Sequence, residues 1–204
     1  MIESYLRPLY QRILVDPLVK QIDSVTFITP ERVTLAGCLI GMAFAPLVYL
    51  GNAFLACTAL LLSGYLDTLD GSLARQRKTA SPAGATFDIV ADRLVEFSVI
   101  VGIYLIAPET RSFAALFMLG SILLCVTTFL VVGIFEAHAG DKSFHYSVGL
   151  MERAEAFAFF ILMALKPSWF PFLAWSFTGL VFLTASIRIY QFTQNPQLHA
   201  RTQA

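Results

Sequence analysis

The chain has 204 residues, with 14 Lys or Arg set against 14 Asp or Glu for a formal net charge of zero. It is 57% hydrophobic and only 14% charged, and its mean hydropathy is +0.69. These values exclude an ordinary soluble domain and a basic nucleic-acid-binding surface, and they fit a small polytopic membrane protein.

Residues 1–20 carry Arg7, Arg12 and Lys20 among Leu6, Leu9, Ile13, Leu14, Val15, Leu18 and Val19, without the apolar core and cleavage site of a leader peptide. The pattern predicts an interfacial amphipathic helix, broken near Pro17. Six apolar stretches follow, at residues 33–50, 53–69, 85–106, 113–135, 148–165 and 170–189, each near the roughly 20 residues that cross a bilayer. Pro30, Gly51-Asn52, Pro82, Gly84, Pro108 and Pro167 punctuate them. The expected fold is an all-α integral membrane domain over 1–204: an interfacial helix and lead-in at 1–30, a six-helix core at 31–192 and a cytoplasmic tail at 193–204.

Six spans put both termini on one side, together with Arg7, Arg12, Lys20, Arg32, Arg75, Arg77, Lys78, Lys142 and Arg201, while Arg111 and Lys166 fall opposite. The positive-inside rule makes the richer side cytoplasmic. Cys38, Cys57 and Cys125 sit in separate apolar runs with no metal-binding spacing and read as buried thiols. His138, His145 and His199 have no ligand spacing either.

The informative segment runs from Asp67 to Asp92. Asp67 and Asp70 end the second apolar stretch three residues apart, and Asp88 and Asp92 open the third four apart, so each pair shares a helical face. Two helices joined by a short loop can bring both pairs to one depth, where four like charges need compensation. Oxygen-only ligands favour Mg²⁺, Mn²⁺ or Ca²⁺ over zinc. Two such ions sharing carboxylates form a clamp for displacement at phosphorus. Gly71, Ala74 and Gly84 would let a large ligand approach the backbone, and Arg75 offers a planar fork for phosphate.

Asp67, Asp70, Gly71, Ala74, Arg75, Gly84, Asp88 and Asp92 spell DxxDGxxAR, eight residues, then GxxxDxxxD. This closely resembles the signature of the CDP-alcohol phosphotransferase family, and chain length, six spans and the N-terminal helix resemble it in architecture. The resemblance implies Mg²⁺- or Mn²⁺-dependent transfer of a phosphoalcohol from a CDP-linked donor to an alcohol, releasing CMP. Asp67, Asp70, Asp88 and Asp92 would hold two metals, with Asp92 also the general base. Gly71, Ala74, Arg75 and Gly84 would cradle the CDP moiety. Relatives often have Asn after the proline of Thr29-Pro30-Glu31-Arg32-Val33-Thr34; here Thr34 is the residue assigned to the cytidine.

Lys142, His145, Arg153 and Arg188 are candidates for the acceptor pocket, with interfacial anchoring as their alternative role. Arg77 and Lys78 serve equally well as topogenic charge, and Glu96 as a structural partner of Arg93. The expected substrates are CDP-diacylglycerol and a small polar alcohol, with a phosphorylated polyol such as glycerol 3-phosphate favoured. CDP-choline or CDP-ethanolamine with diacylglycerol is the alternative, and a divalent-cation transporter or scaffold the remote one. Family likeness also implies a homodimer in a bacterial inner membrane; the charge asymmetry places the site on the cytoplasmic side, and the neutral charge balance gives no sign of a nucleic-acid partner.

Overall fold

The computed structural model describes residues 9–137 and 150–194, and every regular element among them is helical. A wide turn over Gln11–Val15 runs directly into α1, Asp16–Ile22. Pro17 therefore does not break the segment as the sequence suggested. The wide register closes just ahead of it, where the Asp16 N–H reaches the Gln11 carbonyl, and a proline early in the next turn has no N–H to leave unpaired.

The amphipathic pattern of this segment is real, but its inner face meets protein. Val15 and Val19 are buried with Val33, Leu69 and Leu73 in a small separate core, while Leu9, Ile13 and Leu14 remain exposed. Arg77 fixes the loop that follows α1. Its guanidinium meets Asp23 at 3.2 Å and donates to the carbonyls of Ile22, Asp23, Val25 and Ile28 at 2.5–3.1 Å.

Helix α2, Pro30–Met42, starts with Thr29 as its cap and Pro30 in its first turn. The apolar stretch expected as one span is interrupted at Ala43, and α3 covers Phe44–Tyr49. Pro46 cannot donate back to the Met42 carbonyl. The Ser98 hydroxyl supplies the missing donor at 2.8 Å.

Helices α4 (Ala53–Gln76) and α5 (Pro82–Leu105) carry the aspartates, and Ser81 caps α5 by accepting from the Gly84 N–H at 3.1 Å. They do not lie flush against each other. Helix α2 packs on both, because Gly37 and Gly41 present bare backbone one turn apart. A Cβ at Gly37 would stand 3.2 Å from Leu66 Cβ; one at Gly41 would stand 2.6 Å from Ser63 Oγ and 2.7 Å from Val95 Cγ2. Close approach through small residues at this spacing is the usual way helices associate in lipid.

The remaining helices are α6 (Pro108–Ala137), α7 (Arg153–Leu165) and α8 (Phe170–Thr193), the last preceded by a tight turn at Pro167–Trp169. Helices α6 and α8 pair along their length. The main core joins all these helices around fully buried Phe44, Leu60, Met118, Phe160, Met163 and Phe177, with the Phe160 and Phe177 rings 5.3 Å apart. Opposite the aspartate end, buried Arg111 donates to the Ile103 carbonyl at 2.8 Å and lies 4.6 Å over the Phe170 ring, tying the end of α5 to the start of α8.

Among the described residues, four segments are long and apolar enough to cross a membrane: Pro30–Tyr49, Ala53–Gln76, Pro108–Phe135 and Pro167–Thr193. The protein is thus an integral membrane protein built of helices. Helix α5 carries Asp88, Asp92, Arg93 and Glu96, and α7 has 13 residues, so these two expected spans fall short of that standard.

Candidate active site: a carboxylate cluster bridged by an arginine

Helical periodicity places Asp67, Gly71 and Ala74 on one face of α4, and Gly84, Asp88 and Asp92 on one face of α5. Asp67, Asp88 and Asp92 converge across the cleft under α2, each offering a carboxylate oxygen within 4.8 Å of the others. Asp70 belongs to the same acidic region but stands apart in its contacts. It is 4% exposed, and its Oδ2 lies 2.5 Å from the Thr34 hydroxyl, which is also 3.0 Å from the Pro30 carbonyl. Thr34, Gly37, Asp67, Asp70, Asp92 and Arg153 line a small cavity between the helices.

Among the described residues, four formal negative charges gather here against one bridging cation, Arg153. Its Nη1 contacts Asp67 Oδ2, and its two Nη atoms meet the two oxygens of Asp92 at 2.8 and 3.1 Å. The neighbouring Arg93 is engaged elsewhere, 2.6 Å from Glu96 and 3.9 Å from Asp92. Buried Asp88 Oδ1 has no hydrogen-bond partner among the described residues. A buried carboxylate oxygen left unpaired, beside two more carboxylates and with no His or Cys in the set, fits a hard divalent cation such as Mg²⁺ or Mn²⁺.

The small residues and Arg75 extend the cleft past the carboxylates. Among the described residues, a Cβ on Gly71 would meet only Arg75 Nη1, at 3.3 Å, and a Cβ on Gly84 only Ser81 Oγ, at the same distance, which leaves room for a ligand beside both. Arg75 is exposed, yet its Nη2 is tethered 3.0 Å from Ser72 Oγ. Ser72 also accepts from Gln11 Nε2 at 2.8 Å and donates to the Thr68 carbonyl at 2.8 Å. Gln11 in turn reaches Asp16 Oδ1 at 3.0 Å, so the N-terminal segment is wired to the phosphate-binding candidate.

Of the acceptor candidates, Arg153 is drawn into the carboxylates, and Lys142 and His145 lie outside the described residues. Arg188 sits on α8 and donates to the Cys125 carbonyl of α6 at 2.9 Å, with Thr128 Oγ1 at 3.4 Å and the Phe129 ring 5.4 Å below it. Arg77 is the structural clamp described above. Glu96 pairs with Arg93, in keeping with a structural role. Ser72 and Gln11 were not singled out from the sequence, because nothing in their spacing shows that a residue 61 positions away becomes a neighbour.

The model of the CDP-alcohol phosphatidyltransferase family matches residues 27–188. The inner membrane protein YnjF of Escherichia coli K12 is 34% identical over 197 residues, covering 93% of this chain and 94% of its own. The archaetidylinositol phosphate synthase of Methanothermobacter thermautotrophicus is 30% identical over 149 residues, 73% of this chain and 70% of that one. Among solved structures, Mycobacterium tuberculosis phosphatidylinositol phosphate synthase with CDP-DAG bound superposes with a TM-score of 0.56 at 26% identity, covering 91% of this chain and 92% of that chain. The same enzyme in complex with manganese and citrate shares the fold at a TM-score of 0.65 and 23% identity, over 90% of each chain. With its signature intact and its carboxylates assembled, the chain belongs to the CDP-alcohol phosphatidyltransferase family, membrane enzymes that transfer substituted phosphate groups.

Proposed function

We propose that this enzyme transfers a phosphatidyl group from CDP-diacylglycerol to a small polar alcohol and releases CMP. The observation that carries this reading is the convergence of Asp67, Asp88 and Asp92 within 4.8 Å, on helices whose next turns present Gly71, Ala74, Arg75 and Gly84. Names of related enzymes, archaetidylinositol phosphate synthase and phosphatidylinositol phosphate synthase, favour a phosphorylated polyol as the acceptor.

Asp67, Asp70, Asp88 and Asp92 hold a two-metal centre. When bound, the cations compensate charge on the donor pyrophosphate and on departing CMP. Asp92 takes the proton of the acceptor hydroxyl as its oxygen bonds to the lipid-bearing phosphorus and the bond from that phosphorus to the CMP oxygen breaks. Gly71, Ala74 and Gly84 admit the nucleotide, with Thr34 near the cytidine and Arg75 on a phosphate. Lys142, Arg153 and Arg188 receive the acceptor's phosphate. Six spans, with the cleft facing the cytoplasm of a bacterial inner membrane, let the acyl chains remain in the bilayer.

The test is release of labelled CMP from CDP-diacylglycerol against a panel of alcohols, with lipid products identified by mass. Turnover with a phosphorylated polyol, lost in Asp92→Asn, is the expected result. Turnover only with CDP-choline or CDP-ethanolamine and diacylglycerol would overturn it.

A further inference from the structure

Arg153 opens α7, with Glu152 at the cap position. The first turn of a helix presents the positive end of its dipole, so a cation here is held at the unfavourable end. What holds it is the pair of carboxylates: its guanidinium touches Asp67 and both oxygens of Asp92. Asp67 and Asp92 are also two of the three groups whose oxygens converge. The guanidinium and a divalent cation thus draw on one shared set of oxygens. One turn along the same helix the Phe157 ring lies 5.3 Å from the Arg153 guanidinium carbon, a face on which a released guanidinium can rest.

We propose that Arg153 is a built-in counter-cation that exchanges with the divalent cation on Asp67 and Asp92, so that cation binding and release of Arg153 are one event. Resting further on the acceptor assignment above, the freed guanidinium becomes available to the acceptor's phosphate only once the cation has displaced it. The order of assembly, cation before acceptor, then follows from competition for two side chains.

Mn²⁺ binding to the full chain in detergent, followed by the electron-spin resonance of free Mn²⁺ with neither nucleotide nor alcohol present, tests the exchange. Arg153→Gln removes the competitor and should bind Mn²⁺ at least about tenfold tighter, equivalent to about 1.4 kcal/mol. Arg153→Lys keeps the charge but loses the planar fork that spans two carboxylates. It should bind Mn²⁺ more tightly than wild type by a smaller factor, and it decides the matter if the glutamine variant does not fold. Unchanged or weaker Mn²⁺ binding in both variants overturns the exchange. So does tightening confined to Arg153→Gln, which repulsion at a distance explains. Because no substrate is present, the result stands apart from the CMP-release assay on which the proposed activity depends.

Discussion

The Phe157 ring of α7 sits against the bare backbone of Gly64 on α4, 2.9 Å from where a Cβ would stand. Phe157 also lies one turn beyond Arg153 on the same helix face. Gly64→Ala therefore pushes the ring and displaces the start of α7, moving Arg153 away from the cleft where the acceptor's phosphate would meet it. Overpacking of this kind costs about 1–3 kcal/mol. A lower thermal midpoint together with reduced CMP release per folded molecule is expected, and unchanged values for both would contradict the packing described.

The Thr34 hydroxyl is a hydrogen-bond donor to Oδ2 of buried Asp70. Thr34→Val keeps the shape and removes the donor, leaving a carboxylate oxygen unpaired at a cost of about 1–3 kcal/mol. CMP release should fall in the valine variant and return in Thr34→Ser, which restores the hydroxyl. A serine variant as impaired as the valine one would assign Thr34 to packing alone.

Ser72 joins Gln11 to Arg75. Ser72→Ala releases both partners, and Arg75, exposed and no longer tethered, spends less time where a phosphate would meet it. The expected outcome is a several-fold rise in KM for the CDP-linked donor with a smaller change in kcat, since positioning lost before the chemical step weakens ground-state binding first. Gln11→Ala should reproduce the effect in weaker form, and a fall in kcat alone in either variant would count against the relay.

Arg77 accepts no substrate role in this geometry, since its guanidinium is occupied by Asp23 and four loop carbonyls. Arg77→Met strips these donors from the loop after α1, and a loss of about 2–3 kcal/mol of stability is expected, read as a lower unfolding midpoint. Turnover per folded molecule should stay near the wild-type value. A selective loss of turnover at unchanged stability would return Arg77 to the substrate side.

The aspartate pairs were legible in the sequence because helical spacing alone decides which side chains share a face, and Asp67 with Asp70, and Asp88 with Asp92, needed no further information. The apolar stretches likewise announced the helices, though α4 runs on to Gln76, well past the expected end at residue 69. What periodicity cannot express is which neighbour lies in between. Helix α2 packs on α4 through Gly37 and on both motif helices through Gly41, and a four-residue spacing of glycines does not by itself say which helices it will meet. The interruption at Ala43 depends on Pro46 finding compensation from Ser98, 56 residues away from the Met42 carbonyl that needs a donor. Arg153 reads from the sequence as a charge at a span entrance; only tertiary placement, with α7 on Gly64, brings it to the carboxylates.

The insertion of α2 also separates the chemistry of the cleft from its gauge. None of the four aspartates lies on α2, yet Gly41 touches Ser63 of one aspartate-bearing helix and Val95 of the other, so the bulk permitted there bears on how far apart the two stand, while Gly37 seats α2 on α4 alone. Gly41 thus acts as the spacer. A single added methyl at Gly41 would widen the jaws without touching a tooth, and cation preference, governed by how closely oxygens can crowd a small ion, would move with it.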